Sequence, residues 1–83
     1  MKVQILDEAE QDLVGDYFLD SLFSDIDSLQ LYAGIHPRYF GHHRLLSKRF
    51  PFAIYYHVAG KIAHVHAVLD CRRDPARIEE RLK

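Results

Sequence analysis

The sequence has few of the features that mark secreted, membrane-spanning or disulfide-rich proteins. Its single cysteine, Cys71, cannot form a disulfide within the chain. No apolar run approaches the ~20 residues that a membrane-spanning helix needs, and the first residues turn acidic at Asp7 without the long apolar core of a signal peptide. There is also no glycine-rich phosphate loop and no recognisable catalytic triad. These absences predict a cytoplasmic protein with no membrane partner and no cofactor, and they argue against an independent small-molecule enzyme.

Size and charge indicate a single domain, residues 1–83, that gains from a partner. A chain this short buries only roughly 60–65% of its unfolded surface, so a molecule that binds only the folded state stabilises it. Residues 1–37 contain one basic and eight acidic side chains, whereas residues 38–83 contain ten basic and four acidic ones. This asymmetry indicates a polyanionic or acidic partner, unless helix and sheet simply differ in their surface residues.

The first half of the chain predicts a strand and a long helix. Residues 3–6 are a short strand candidate. Residues 8–33 contain no proline and carry apolar residues at helical spacing, which predicts a helix that either breaks at Gly15 or overhangs the sheet. Gly34 predicts the end of this helix, and residues 38–41 predict a loop.

The second half predicts an antiparallel meander and a short helix. Residues 42–49, 52–58 and 62–69 are strand-like and separated by short turns. Strict alternation over residues 52–58 places Phe52, Ile54, Tyr56 and Val58 toward the core. Asp74 and Pro75 begin a short C-terminal helix. We therefore expect an α+β fold in which the N-terminal strand and long helix pack on an antiparallel sheet of three to four strands.

Three segments together carry a resemblance to a known family. The first is Ala9 followed by Asp12 and Leu13, the second spans residues 44–58, and the third spans residues 65–75. In order and spacing they resemble the RelE/ParE toxin superfamily, the plasmid stabilisation protein type. The resemblance implies a toxin of a type II toxin–antitoxin system, with a cognate antitoxin whose extended or helical segment wraps and blocks it. It also implies a target, which is DNA gyrase for ParE-like members and ribosome-bound mRNA for RelE-like members.

The helical region is shorter than the two-helix hairpin of the family. A continuous helix over residues 8–33 would be roughly 39 Å long, whereas a strand of eight residues spans about 27 Å. An overhanging apolar stripe needs cover, so we hypothesise a dimer in which two chains exchange helices.

For cleavage of mRNA without a metal, the resemblance implies a basic cluster with an acid and a base. Arg44 and Arg72 match basic positions of the family, whereas Leu46 and Ala53 stand where further basic residues are expected. No tyrosine follows Arg73. His66 is a candidate substitute, since an imidazole suits acid–base work. The set of residues needed for mRNA cleavage is therefore incomplete, and ParE-like action on DNA gyrase is the preferred prediction.

Two further groups of residues have open interpretations. Contact with the target or antitoxin is predicted for basic side chains: Arg44, Lys48, Arg49, Arg72, Arg73 and Arg77. The alternative interpretation is that these basic side chains are simply solvated on the surface. His64 and His66 alternate onto one strand face and would suit a metal, with His42 or His43 added from a neighbouring strand, but ordinary strand histidines are the alternative and no metal site is predicted. A family member that has lost toxicity and acts only as a binding or dimerisation module also remains open.

Overall fold

The computed structural model describes residues 2–12, 19–48, 51–72 and 74–82. In this part of the chain, five strands form one sheet: β1 (Lys2–Ile5), β2 (Arg38–Tyr39), β3 (His42–Leu46), β4 (Phe52–Ala59) and β5 (Ile62–Asp70). Their order is β1-β5-β4-β3-β2. The predicted meander is confirmed, because β3, β4 and β5 pair antiparallel. β1 adds to β5 in parallel, which makes the sheet mixed.

One local prediction was wrong. Residues 38–41 were expected to form only a loop, but Arg38 and Tyr39 pair with His43 and His42 as β2. The two positive-φ residues Phe40 (54°) and Gly41 (80°) make the tight turn between them. A glycine and one strained residue are enough to reverse the chain, and this conformation joins two strands closely.

The helices are α1 (Asp7–Asp12), α2 (Leu19–Asp27), α3 (Leu29–Tyr32) and α4 (Pro75–Leu82). The long helix predicted over residues 8–33 corresponds to α1, α2 and α3 where the chain is described. The predicted break at Gly15 lies outside the described residues. Ser28, between α2 and α3, keeps helical angles (φ −60°, ψ −21°), and the helical stretch ends just before Gly34, whose φ is 95°.

The main core lies between α2–α3 and one face of the sheet. Leu22, Ile26 and Leu29 are buried at helical spacing. They form one apolar cluster with sheet residues that include Leu45, Ile54, Tyr56, Val65 and Val68. Phe52 and Val58 are partly buried against the same cluster, so the predicted alternation of β4 is confirmed on this face.

The opposite face of β4 is also buried, which alternation in β4 did not predict. Ala53 and Tyr55 form a second cluster with Ala67, Leu69, Ile78 and Leu82. The helix α4 covers this face, and it begins where predicted: Oδ1 of Asp74 accepts the Ala76 N–H at 2.9 Å, and Pro75 is its first residue. β4 is therefore a central strand covered on both faces over residues 53–56.

The helix α1 closes the edge of β5 beyond the end of β1. Oδ2 of Asp12 accepts the backbone N–H of Val68 at 3.0 Å. The same oxygen accepts Arg81 NH2 at 2.9 Å, and Arg81 also donates to the carbonyl of Glu8. One carboxylate therefore joins α1, β5 and α4, and it satisfies an edge N–H that would otherwise be left without a partner.

The helix-exchanged dimer depends on residues 13–18, which lie outside the described residues, so it stays a prediction. Within the described ranges, no helix has the length and apolar character needed to cross a membrane.

Candidate functional site

The predicted residue Arg44 lies at a distinctive place in the structure. Its guanidinium carbon is 3.7 Å from the centre of the Tyr39 ring, a cation–π contact between β3 and β2. The backbone N–H of Arg44 donates to the carbonyl of Pro37 at 2.9 Å, which anchors the strand at this point. Among the described residues, the buried Nε of Arg44 has no hydrogen-bond partner. Arg44 is therefore positioned by β2, and its Nε is buried without a hydrogen-bond partner in the described part of the chain.

Arg44 lines a cavity of about 240 Å³ under the beginning of α4. The lining is mainly aromatic and apolar, with one thiol: Tyr39, Phe40, Arg44, Tyr55, Cys71, Pro75 and Ile78. A planar cation beside exposed aromatic rings suits a carboxylate, a phosphate or a planar group of a binding partner. We call this cavity the Arg44 pocket.

The electrostatics of the Arg44 pocket do not supply an activated nucleophile. Burial raises the pKa of the Cys71 thiol, and Arg44 opposes this only in part. Burial likewise raises the pKa of Tyr55, with Arg44 acting in the opposite direction. Both groups are therefore held in their neutral, protonated forms, and a protonated thiol is a poor nucleophile. The pocket is suited to binding rather than to covalent chemistry.

Arg72, the second candidate, is paired within its own turn. Its Nε and NH2 donate to the two carboxylate oxygens of Asp70 at 3.0 and 2.7 Å, and the backbone N–H of Arg72 donates to Asp70 as well. The Arg72 side chain remains 73% exposed. Arg72 can still face a partner, but its forked donor group already holds a carboxylate, and a competing anion must replace it.

His66, the third candidate, lies elsewhere on the sheet. Its Nε2 is 2.6 Å from Nδ1 of His57 on the neighbouring strand. The three candidates therefore have different partners. Arg44 makes a cation–π contact with Tyr39, Arg72 forms a salt bridge with Asp70, and His66 is hydrogen-bonded to His57. Within the described residues these interactions do not join them into one catalytic set.

The other predicted contact residues are distributed along the basic half. Lys48 and Arg77 are exposed, whereas Arg49 and Arg73 lie outside the described residues. Ala53, which stands where the family has an arginine, is fully buried beneath α4. A long basic side chain has no room there, so the departure from the family pattern at Ala53 agrees with the local packing. Contact by these basic residues stays a prediction.

Several exposed large apolar side chains were missed by sequence reasoning. They lie on α3, on the segment after it and on the β2–β3 hairpin: Leu31 (82% exposed), Tyr32 (52%), Ile35 (71%), Tyr39 (39%), Phe40 (40%) and Leu46 (52%). We call these residues the apolar rim. The available signal was Leu31, which falls off the helical stripe that contains Leu22, Ile26 and Leu29. An apolar side chain off the buried stripe of a helix is directed away from the core.

The architecture can now be compared with known structures. A chain from a solved structure of a chromosomal ParDE TA system from P. aeruginosa has a similar fold, with a TM-score of 0.70 and 19% sequence identity over 82% of this chain and 92% of that chain. The two chains therefore share a fold. The resemblance seen in the sequence is thus confirmed at the level of the fold. No protein-family model and no curated protein matches the sequence.

Proposed function

We propose that this protein is the toxin of a type II toxin–antitoxin pair. The observation that carries the proposal is the similarity of its fold to a chain of a ParDE toxin–antitoxin system, over most of both chains. The apolar rim supports it independently, because exposed apolar surface on a small domain marks a binding site for another protein. The marginal burial available to a domain of this size also favours a partner that stabilises the folded state.

The partner proposed for the apolar rim is a segment of the antitoxin. β2 pairs with only the first two residues of β3, and Leu46 at the other end of β3 is half exposed. An exposed strand end beside apolar side chains can accept an extended peptide, and apolar side chains of a helical segment can pack on α3. Arg38 and Lys48 are exposed beside this surface, so a segment that combines apolar and acidic residues fits it.

ParE-like action on DNA gyrase is preferred over RelE-like cleavage of mRNA. Arg44, Arg72 and His66 have separate partners, and the thiol in the Arg44 pocket is protonated. Binding through the Arg44 pocket requires none of the acid–base groups that cleavage needs. Arg44 is proposed as the principal target contact, with exposed Arg72 as a second one.

Growth after tightly repressed expression in a bacterial host tests the toxin proposal. We expect arrest by the wild type, relief by Arg44→Ala and partial relief by Arg72→Ala. Lys61→Ala is the matched control, because Lys61 is exposed at the opposite end of the sheet, in the β4–β5 turn. Normal growth with soluble, folded wild-type protein would refute toxicity and leave a binding module.

Two assays with purified components distinguish DNA gyrase from ribosome-bound mRNA as the target. Gyrase-like action predicts inhibition of DNA supercoiling by wild-type protein, reduced by Arg44→Ala, with no cleavage of mRNA on translating ribosomes. The reverse pattern would identify a RelE-like ribonuclease and overturn the gyrase preference.

Antitoxin docking is tested by co-expression with the product of the adjacent reading frame. Ile35→Glu places a charge in the apolar rim, and loss of a central apolar contact costs about 2 kcal/mol or more in binding, which is about 30-fold in affinity. We expect Ile35→Glu to remain toxic but to escape neutralisation. Full neutralisation of this variant would exclude the apolar rim as the docking surface.

A further inference from the structure

Four histidines from three adjacent strands meet on one face of the sheet. His42 lies on β3, His57 on β4, and His64 and His66 on β5. All four are half-buried. We call them the histidine cluster. The remaining two histidines of the sequence, His36 and His43, contact Tyr56 instead, and Tyr56 belongs to the core on the other face of the sheet.

The rings of the histidine cluster are in direct contact. His57 is central: its ring centre lies 4.6 Å from that of His66, 4.8 Å from that of His64 and 6.4 Å from that of His42. The ring centres of His42 and His66 are 4.8 Å apart. The four imidazoles therefore form one continuous group on this face of the sheet.

His66 lies at a β-bulge in β5. Tyr55 pairs with Ala67 and Tyr56 pairs with Val65, so His66 is an extra residue opposite this pair. A bulge places two successive residues against one partner and redirects a side chain. Nε2 of His66 lies 2.6 Å from Nδ1 of His57, although the two residues are not cross-strand partners.

We propose that the histidine cluster binds a divalent transition-metal ion of the Zn²⁺ type, with His57 and His66 as the central ligands. His42 and His64 complete the ligand set from either side of His57. Imidazole nitrogen is a preferred ligand of Zn²⁺, Ni²⁺ and Cu²⁺, whereas Mg²⁺ and Ca²⁺ prefer oxygen. The proposal is independent of the proposed toxin function, because none of the four histidines lines the Arg44 pocket.

Binding requires a small rearrangement of the rings. Among the described residues, no three histidine, cysteine or acidic side chains are already arranged around a common metal position. The two closest nitrogens are 2.6 Å apart and share a hydrogen. In a tetrahedral site with bonds of 2.0–2.1 Å, ligand nitrogens are about 3.3 Å apart. The distance between the two nitrogens must therefore increase by under about 1 Å, and the hydrogen bond is then replaced by two bonds to the metal. Rotation of these half-buried side chains can provide that increase.

Zn²⁺ binding to the untagged full-length protein tests the proposal. Affinity is measured by competition with a chromophoric chelator, for the wild type, His57→Asn and His66→Asn. Since even outer-shell partners of a metal site contribute 10–100-fold to affinity, we expect each variant to lose at least about tenfold. His36→Gln is the matched control, because it removes a histidine on the other face and should bind Zn²⁺ as the wild type does.

A second measurement avoids dependence on the variants. In wild-type protein, Zn²⁺ should shift the ring proton resonances of His42, His57, His64 and His66, but not those of His36 and His43. It should also raise the melting temperature, because the ion joins three strands of the folded state, and a chelator should reverse the rise. Absence of binding, equal affinity in His57→Asn and His36→Gln, or shifts confined to other residues would each overturn the proposal.

Discussion

The hydroxyl group of Tyr56 ties the segment after α3 to the centre of the sheet. Tyr56 is fully buried. Its oxygen accepts the backbone N–H of Gly34 at 2.9 Å and forms a short hydrogen bond with Nδ1 of His36. The ring also stacks on His43, with centres 5.1 Å apart. In the tautomer of His36 whose Nδ1 carries no proton, the hydroxyl group donates to Nδ1 while its oxygen accepts from Gly34 N–H.

Tyr56→Phe should therefore lower the free energy of unfolding while keeping the ring in the core. Each hydrogen bond contributes about 0.5–1.5 kcal/mol net, so we expect a loss of about 1–3 kcal/mol. In a domain of this size each kcal/mol lowers the melting temperature by about 4–8 °C. Urea unfolding measures the change, and amide exchange at Gly34 should become faster.

The matched control is Tyr32→Phe, since Tyr32 is half exposed on α3. Its effect should stay within the ~0.5 kcal/mol that is typical of surface substitutions. If Tyr56→Phe also stays within this limit and Gly34 exchange is unchanged, the hydroxyl does not anchor the segment and the reasoning fails.

The burial of His36 also makes stability depend on pH. Burial and then the neighbouring His43 lower the pKa of His36 in the folded protein. Its contribution is therefore fully present above the unfolded pKa of about 6.5 and is lost as the pH falls toward the lower folded-state pKa. The urea midpoint of the wild type should fall between pH 7.5 and 5.5, and it should fall less in His36→Gln. Parallel curves for the two proteins would contradict this assignment.

Two further predictions concern the helices. Asp12→Ala should destabilise the fold by about 1–3 kcal/mol, because it leaves the buried Val68 N–H and Arg81 without their shared acceptor. Asp12→Asn, which keeps an acceptor, should cost less; equal and negligible changes in urea unfolding would count against the role of this carboxylate. The helix-exchanged dimer predicts twice the monomer mass by light scattering at high micromolar concentration, and a clean monomer there would exclude it.

Local signals were sufficient for the meander and the last helix. Pro51 before β4, the Gly60 turn and alternation over residues 52–58 are short-range features, and each depends on the conformation of a few neighbouring residues. Asp74 and Pro75 likewise begin α4 through a cap and a fixed φ, which need no tertiary contact. The charge division and the family resemblance of residues 44–75 are also properties of the sequence alone.

The Arg44 pocket and the second buried face of the sheet depend on packing between residues that are distant in the sequence. The stack of Arg44 on Tyr39 requires β2, whose two residues pair only because the 40–41 turn brings them back onto β3. Burial of Ala53 and Tyr55 requires α4 to cross the second face of the sheet. The alternation of residues within β4 cannot show where α4 packs, because α4 follows β5 later in the chain.

The histidines show most clearly the difference between what the sequence predicts and what the tertiary structure decides. Sequence alternation placed His64 and His66 on one strand face and named His42 or His43 as a neighbour, and the structure selects His42. His57 was missed, although it is central to the cluster, because its neighbours are set by the register of β4 against β3 and β5. The bulge at His66 shifts that register by one residue, and its position is decided by how two long strands twist and pack rather than by the residues next to it. The sequence alone thus determined most of the elements, their order and the kind of fold, whereas the tertiary structure added β2 and decided which side chains meet.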